Sequence, residues 1–81
     1  MVMENPVILK QRSVLLTDLA TAYVHDGEVD KGCELASEAA VTLARAGYET
    51  SAERLREFRQ LVRPWQDRGS VKDLDERLRL L

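Results

Sequence analysis

The amino-acid sequence predicts an all-α fold, a single domain of about four helices arranged as antiparallel helical hairpins. Three observations support this prediction. Apolar residues recur at gaps of three and four through most of the 81 residues, which is the spacing of one helix face. Turn-forming residues are sparse, with two prolines and four glycines, so long helices are permitted. No stretch shows the alternation of apolar and polar residues that is typical of a strand.

The first two predicted helices, residues 6–25 and 28–46, form a hairpin around a glycine turn. Asn5 is a good N-cap because its side chain can accept a hydrogen bond from a helix amide. Pro6 fits the first helical position, where the missing amide hydrogen is no loss. Gly27 follows the last periodic residue and is typical of a helix stop, since glycine adopts positive φ without a steric clash.

The second predicted helix carries small residues along its apolar face. Gly32 lies inside this helix, where glycine costs about 1 kcal/mol relative to alanine, so we expect it to mark a close backbone approach to the first helix. Cys33 lies on the same face and is predicted to be a small buried hydrophobic residue rather than a reactive thiol. Gly47 is predicted to end the helix.

Capping sequences open the two remaining helices, which we predict at residues 51–63 and 70–81. Residues 50–53 have the capping-box pattern, and Pro64 ends the helix that follows them. Residues 70–73 repeat the pattern in front of the last helix. Trp65, in the intervening loop, is predicted to cover one end of the core.

Composition limits the classes of function. The net charge of −2 and the pI near 5.3 argue against a nucleic-acid-binding protein, so we expect no direct contact with nucleic acid. One histidine, one cysteine and no phosphate-binding glycine loop make a catalytic, metal or cofactor site unexpected, so we predict a non-enzymatic protein without a cofactor. The single cysteine, together with the lack of signal-peptide features and of an apolar run of membrane-spanning length, favours the cytoplasm.

The first hairpin resembles a tetratricopeptide repeat, a helical hairpin of about 34 residues. The matching positions combine large residues in the first helix with small ones in the second: Leu16, Leu19, Ala20, Tyr23, Gly27, Val29, Gly32, Ala36 and Ala39. A second copy is only partial, since Arg59 stands where the first copy has Ala20. The resemblance implies a fragment of a right-handed superhelix with the last helix as a cap. It also implies that the chain is the end, or a fragment, of a longer repeat array.

The order of motifs is also similar to the C-terminal repeats of bacterial helix-turn-helix transcriptional regulators. The motifs are Arg-x-x-x-Leu-x-x-Leu-Ala-x-Ala-Tyr from Arg12, Asp-Gly-Glu-Val-Asp from Asp26, and Leu-Val-Arg-Pro-Trp from Leu61. This resemblance implies a protein- or peptide-binding module, the sensing or partner-binding part of a regulator whose DNA-binding domain precedes the repeats.

In the repeat register implied by this resemblance, the first helix of each hairpin lines a concave groove. The residues placed there are Thr17, Thr21, Val24 and His25 from the first helix and Arg56, Arg59, Gln60 and Arg63 from the third. Arginines in a groove suit a carboxylate-bearing or acidic peptide, because they form charge-assisted hydrogen bonds. The alternative is that His25 caps its helix and that the arginines are solvated or paired with Glu53, Glu57 and Asp67.

The last predicted helix favours a different function. Its apolar residues Val71, Leu74, Leu78 and Leu81 are spaced three, four and three, and therefore share one face. If that face is the seam of a homodimer, the chain is a structural homo-oligomerisation module. At the level of sequence, partner binding and self-association both remain open.

Overall fold

The computed structural model describes residues 5–46 and 52–81, and within these ranges the chain is helical with no strand. Four α-helices follow one another: α1 (Pro6–His25), α2 (Val29–Ala46), α3 (Ala52–Leu61) and α4 (Gly69–Leu78). A short 3₁₀ helix, Arg63–Trp65, joins α3 to α4. α1 packs along α2, α3 contacts both of them, and α4 packs mainly against α2. The all-α prediction is therefore confirmed.

The helix ends differ from the predicted ones mainly in the second half of the chain. α3 ends at Leu61 rather than at residue 63, because the chain tightens into the 3₁₀ helix that contains Pro64. α4 begins at Gly69 and ends at Leu78, three residues before the predicted end. The predicted stop at Gly47 and the first half of the predicted capping box lie outside the described residues.

Local chemistry determines where α1 begins and ends. The Asn5 side-chain oxygen accepts a hydrogen bond from the Val7 amide at 2.8 Å, which satisfies one of the free donors at the helix start. Gly27, just after the helix, has a φ of +87°, the left-handed conformation that glycine adopts most easily. The Gly27 amide donates back to the Val24 carbonyl at 3.0 Å. Both sequence predictions are confirmed.

The close approach of α1 and α2 depends on Gly32. A Cβ atom at Gly32 would lie 2.6 Å from Cγ2 of Val24 and 2.8 Å from the carbonyl oxygen of Ala20. The second of these is a backbone atom, which cannot rotate out of the way. On the same interface, the Ser13 hydroxyl donates to the Ala39 carbonyl at 3.0 Å. The predicted close approach at Gly32 is confirmed.

The core lies between the α1–α2 hairpin and the two later helices. Cys33 on α2 is fully buried, as predicted, and burial raises the pKa of its thiol. Trp65 is half-buried and packs against the core. The largest fully buried side chains are Phe58, Leu43, Leu55, Leu74, Val62, Val71 and Cys33.

α4 does not begin with the predicted capping box. Arg68 occupies the N-cap position and makes no side-chain capping hydrogen bond. Ser70 lies inside the first turn, and its hydroxyl donates to Oδ1 of Asp30 on α2 at 2.6 Å. The prediction was wrong because a partner on another helix takes the hydroxyl that would otherwise cap α4.

We predict that Gly32→Ala lowers the free energy of unfolding by about 1–2 kcal/mol. Overpacking costs about 1–3 kcal/mol, and the higher helix propensity of alanine offsets at most about 1 kcal/mol of this. Urea unfolding followed by circular dichroism measures the change. Gly69→Ala is the matched control, since a Cβ at Gly69 meets nothing within 4 Å, and it should be nearly neutral. Equal effects of the two substitutions would contradict the account of Gly32.

Candidate functional site

The α1 residues predicted to line a groove do not share an exposed surface. Thr17 is buried, and its hydroxyl donates to the Ser13 carbonyl at 2.8 Å. Val24 is also buried, against Gly32. Thr21 is half-buried and donates to the Thr17 carbonyl, whereas His25 is exposed. The prediction was wrong for Thr17 and Val24. The assumed repeat register placed these residues in an open groove, whereas in the structure they face the neighbouring helices.

The four predicted residues of the third helix region divide into two groups. Arg59 is half-buried and donates from Nε and Nη2 to the Asp75 carboxylate at 2.6 and 3.2 Å, which also raises the pKa of Arg59. It therefore joins α3 to α4. Arg56, Gln60 and Arg63 are exposed, and we call them the arginine edge. Neither arginine of this edge forms an ion pair with any residue in the described ranges.

The residues predicted to form a homodimer seam on the last helix pack mainly against the chain itself. Val71 and Leu74 are fully buried in the core. Leu78 and Leu81 are half-buried and pack against that core. The prediction was wrong for Val71 and Leu74, because the apolar side of α4 packs against the chain itself and leaves these two residues no surface for a second copy.

Several large apolar side chains of α1 are exposed, and Val7, 52% exposed, lies about 100° around the helix from Ile8. Ile8, Leu15 and Leu19 are 61, 69 and 49% exposed, and the small residue Ala22 is exposed beside them. At 3.6 residues per turn, these four positions fall within an arc of about 60°. They lie opposite the side of α1 that is buried in the core, where Ala20 packs. We call Ile8, Leu15, Leu19 and Ala22 the α1 face.

Sequence reasoning missed the α1 face as a surface, although a signal was present. Ile8, Leu15 and Ala22 recur every seven residues, while Leu9 and Leu16 lie one position further along and around the helix. A helix with apolar residues on two sides can bury only one of them in a small core. The periodicity alone does not say which side that is.

Ion pairs within the chain border the α1 face on both sides. Nη2 of Arg12 lies 3.5 Å from Oε1 of Glu38 on α2. Across the other border, Nη1 of Arg54 on α3 donates to Oδ1 of Asp18 at 2.7 Å. The nearest charges are therefore matched inside the molecule, and the α1 face itself contains no charged residue.

A polar cluster lies in a cleft between α2 and α4. Asp30 accepts the Ser70 hydrogen bond, and Nη1 of Arg68 lies 3.4 Å from its other carboxylate oxygen. The Ser70 bond, aided by Arg68, lowers the pKa of the Asp30 carboxyl. Glu34 and Asp73 line the same cleft. In the described part of the chain no three or more metal-ligating side chains converge. The Ser70 hydrogen bond and the Arg68 ion pair to Asp30 fasten the start of α4 to α2.

Comparison of the chain with protein-family models, curated proteins and solved structures finds no match. Among the described residues, no helix combines the length and the apolar character needed to cross a membrane. The geometry of the α1 face and of the arginine edge is therefore the main basis for a functional interpretation.

We predict that the stability difference between the native chain and Asp30→Asn shrinks as the pH falls below about 4, the ordinary aspartate range. The lowered pKa of Asp30 means that its contribution is complete above the unfolded-state pKa. That contribution is lost as the pH falls through the folded-state pKa. Thermal unfolding of both chains between pH 7 and pH 3 measures the difference, which should be constant above about pH 5.

Ser70→Ala supplies the control for this pH dependence. It removes the hydrogen bond that mainly lowers the Asp30 pKa, so Asp30→Asn in that background should change stability much less. A difference that widens as the solution is acidified would contradict the assignment.

Proposed function

We propose that this chain is a non-catalytic protein- or peptide-binding module of the tetratricopeptide type, and that it forms the sensing or partner-binding part of a bacterial transcriptional regulator. The observation that carries the proposal is the α1 face. Ile8, Leu15 and Leu19 are about half or more exposed on a helix whose opposite side already packs in the core. Exposed apolar residues that share one side of a helix mark interaction surfaces.

The packing order of the helices supports the tetratricopeptide interpretation. α1 and α2 form one hairpin, α3 lies beside both, and α4 packs mainly against α2. In stacked repeats each hairpin likewise contacts its neighbour and extends a continuous core. We therefore interpret α1–α3 as a fragment of a right-handed superhelix, with α4 as its cap. The partner-binding role within a regulator rests on the resemblance of motifs from Arg12 to Trp65.

The arginine edge supports a second contact, with an acidic or carboxylate-bearing segment. Arg56 and Arg63 are exposed and have no ion-pair partner among the described residues. An arginine that is not already paired offers its full set of donors to a carboxylate. By contrast, Arg54 and Arg59 are engaged by Asp18 and Asp75 and are not available in this way.

The described side chains also support a non-catalytic role. Cys33 is fully buried and its thiol pKa is raised, which disfavours the reactive thiolate. His25 is exposed at the end of α1. Two groups so differently placed do not form the nucleophile–base pair that covalent catalysis needs.

We predict that a photo-crosslinking amino acid at Leu15 captures a protein in the native cell, whereas the same residue at Leu80 does not. Leu80 is the matched control because it is 59% exposed but lies outside the α1 face. Gel mobility and mass spectrometry identify the product. Leu19→Lys should reduce capture about tenfold, because placing a charge in an apolar contact costs more than about 1.4 kcal/mol. Equal capture from both positions would show that the α1 face is not the binding surface.

We predict that a glutamate-rich peptide binds the chain, and that replacing Arg56 and Arg63 together by alanine weakens binding at least about tenfold. A hydrogen bond to a charged group contributes about 1.5–3 kcal/mol to the binding free energy when it is shielded from water, and less when it is exposed to solvent. Fluorescence anisotropy at low salt measures the affinity, which should fall as salt is added. Arg79→Ala is the control, since Arg79 is exposed and pairs with Glu76 on α4. Unchanged affinity of the double variant would remove the arginine edge from the proposal.

A further inference from the structure

We propose that the occupant of the α1 face is the same face of a second copy of this chain, paired antiparallel about a two-fold axis at Leu15. This inference rests on the proposed role of the α1 face as a binding surface and adds the identity of the partner. The arginine edge, on α3 and the start of the 3₁₀ helix, then remains for a different, acidic partner.

Charge is the first argument for a second copy. The α1 face carries no ionisable side chain, and the bordering Arg12 and Asp18 are held by Glu38 and Arg54 within the chain. Two such faces can meet without juxtaposing like charges, and neither offers a charge that would select a foreign partner. A two-fold interface uses the same patch on both copies, so the patch needs only to complement itself.

Residue spacing along α1 is the second argument. Ile8, Leu15 and Ala22 are seven residues apart, the repeat that keeps a contact line between two helices that wrap around each other. With the axis at Leu15, Ile8 of each copy lies over Ala22 of the other, and the two Leu15 side chains meet. Large residues then oppose small ones on either side of the axis, which lets the helices approach closely.

The spacing of large and small residues determines the orientation of the pair. In a parallel pair, equal residue numbers lie at the same level, so Ile8 would meet Ile8 and Ala22 would meet Ala22. In the antiparallel pair, each end of the seam combines one Ile8 with one Ala22. The two helices can therefore keep one separation along the whole seam.

The area of the α1 face predicts a weak dimer. α1 has 20 residues, so it is about 30 Å long and about 10 Å across. Each copy therefore buries about 300 Å², well below the roughly 800 Å² per partner of a standard stable interface. Pairing through α1 belongs to the weak, reversible class, and the dimer forms only at high protein concentration.

Sedimentation equilibrium of the full chain tests the pairing. The apparent mass should rise from 9.2 kDa toward twice that value between about 10 μM and about 1 mM. Leu15→Lys, checked for native helicity by circular dichroism, should stay monomeric throughout. Leu80→Lys, the matched exposed leucine outside the face, should dimerise like the native chain. A native chain that is monomeric at about 1 mM overturns the inference, as does a dimer that survives Leu15→Lys.

Cysteine crosslinking tests the orientation. With a short bis-maleimide, two Leu15→Cys chains should crosslink to each other, because the two copies of residue 15 meet at the axis. Ile8→Cys should not, because its two copies are about 21 Å apart along the helix. A mixture of Ile8→Cys and Ala22→Cys chains should crosslink to each other. Cys33 stays buried in all of them. Self-crosslinking of Ile8→Cys would indicate a parallel pair and overturn the inference.

These experiments separate the inference from the proposed function. If the photo-crosslinker at Leu15 captures a foreign protein while the purified chain stays monomeric, the second copy is excluded and the binding role of the α1 face stands. If Leu15 captures nothing beyond the Leu80 control but the purified chain dimerises, the proposed cellular role of the α1 face fails and the pairing stands. If the purified chain also stays monomeric, both are excluded.

Discussion

The close contact between Gly32 and the backbone of α1 governs how the other helices pack. Because Gly32 has no side chain, the Ala20 carbonyl oxygen and Cγ2 of Val24 come closer than a Cβ atom at Gly32 would allow. The same approach brings the Ser13 hydroxyl to the α2 backbone. Phe58 of α3 then packs beside Gly32. One glycine therefore sets the spacing of the surface on which the later helices pack.

The tight pairing also divides α1 into two unlike apolar sides. The inner side, with Ala20 and Val24, is buried by α2 and α3, whereas Leu15 and Leu19 remain exposed on the outer side. Burying a leucine side chain contributes about 1.5–3 kcal/mol. A domain of this size buries only about 60–65% of its unfolded surface, so further burial on α1 has a large relative effect. The outer side therefore has a physical reason to be covered.

α4 is attached partly by polar contacts that look, in the sequence, like ordinary surface charges. Asp30 accepts from Ser70, and Arg59 donates twice to Asp75, so each pair joins two different helices. These contacts remove Arg59 from the candidate binding site, whereas Arg56, Gln60 and Arg63 of the arginine edge stay exposed. The arginines proposed to bind a partner and the arginine that joins two helices are thus of the same chemical type and differ in their neighbours.

Neighbouring residues alone are enough to predict four features of this protein: the all-helical class, the cap at Asn5, the turn at Gly27 and the close approach at Gly32. These follow from backbone conformation, local hydrogen bonding and spacing along one helix. Tertiary packing was needed to establish that Ser70 bonds across to α2, that Val71 faces inward, and that Leu15 and Leu19 stay exposed on α1. Helical periodicity identifies the sides of a helix, but which side is covered depends on where distant segments pack.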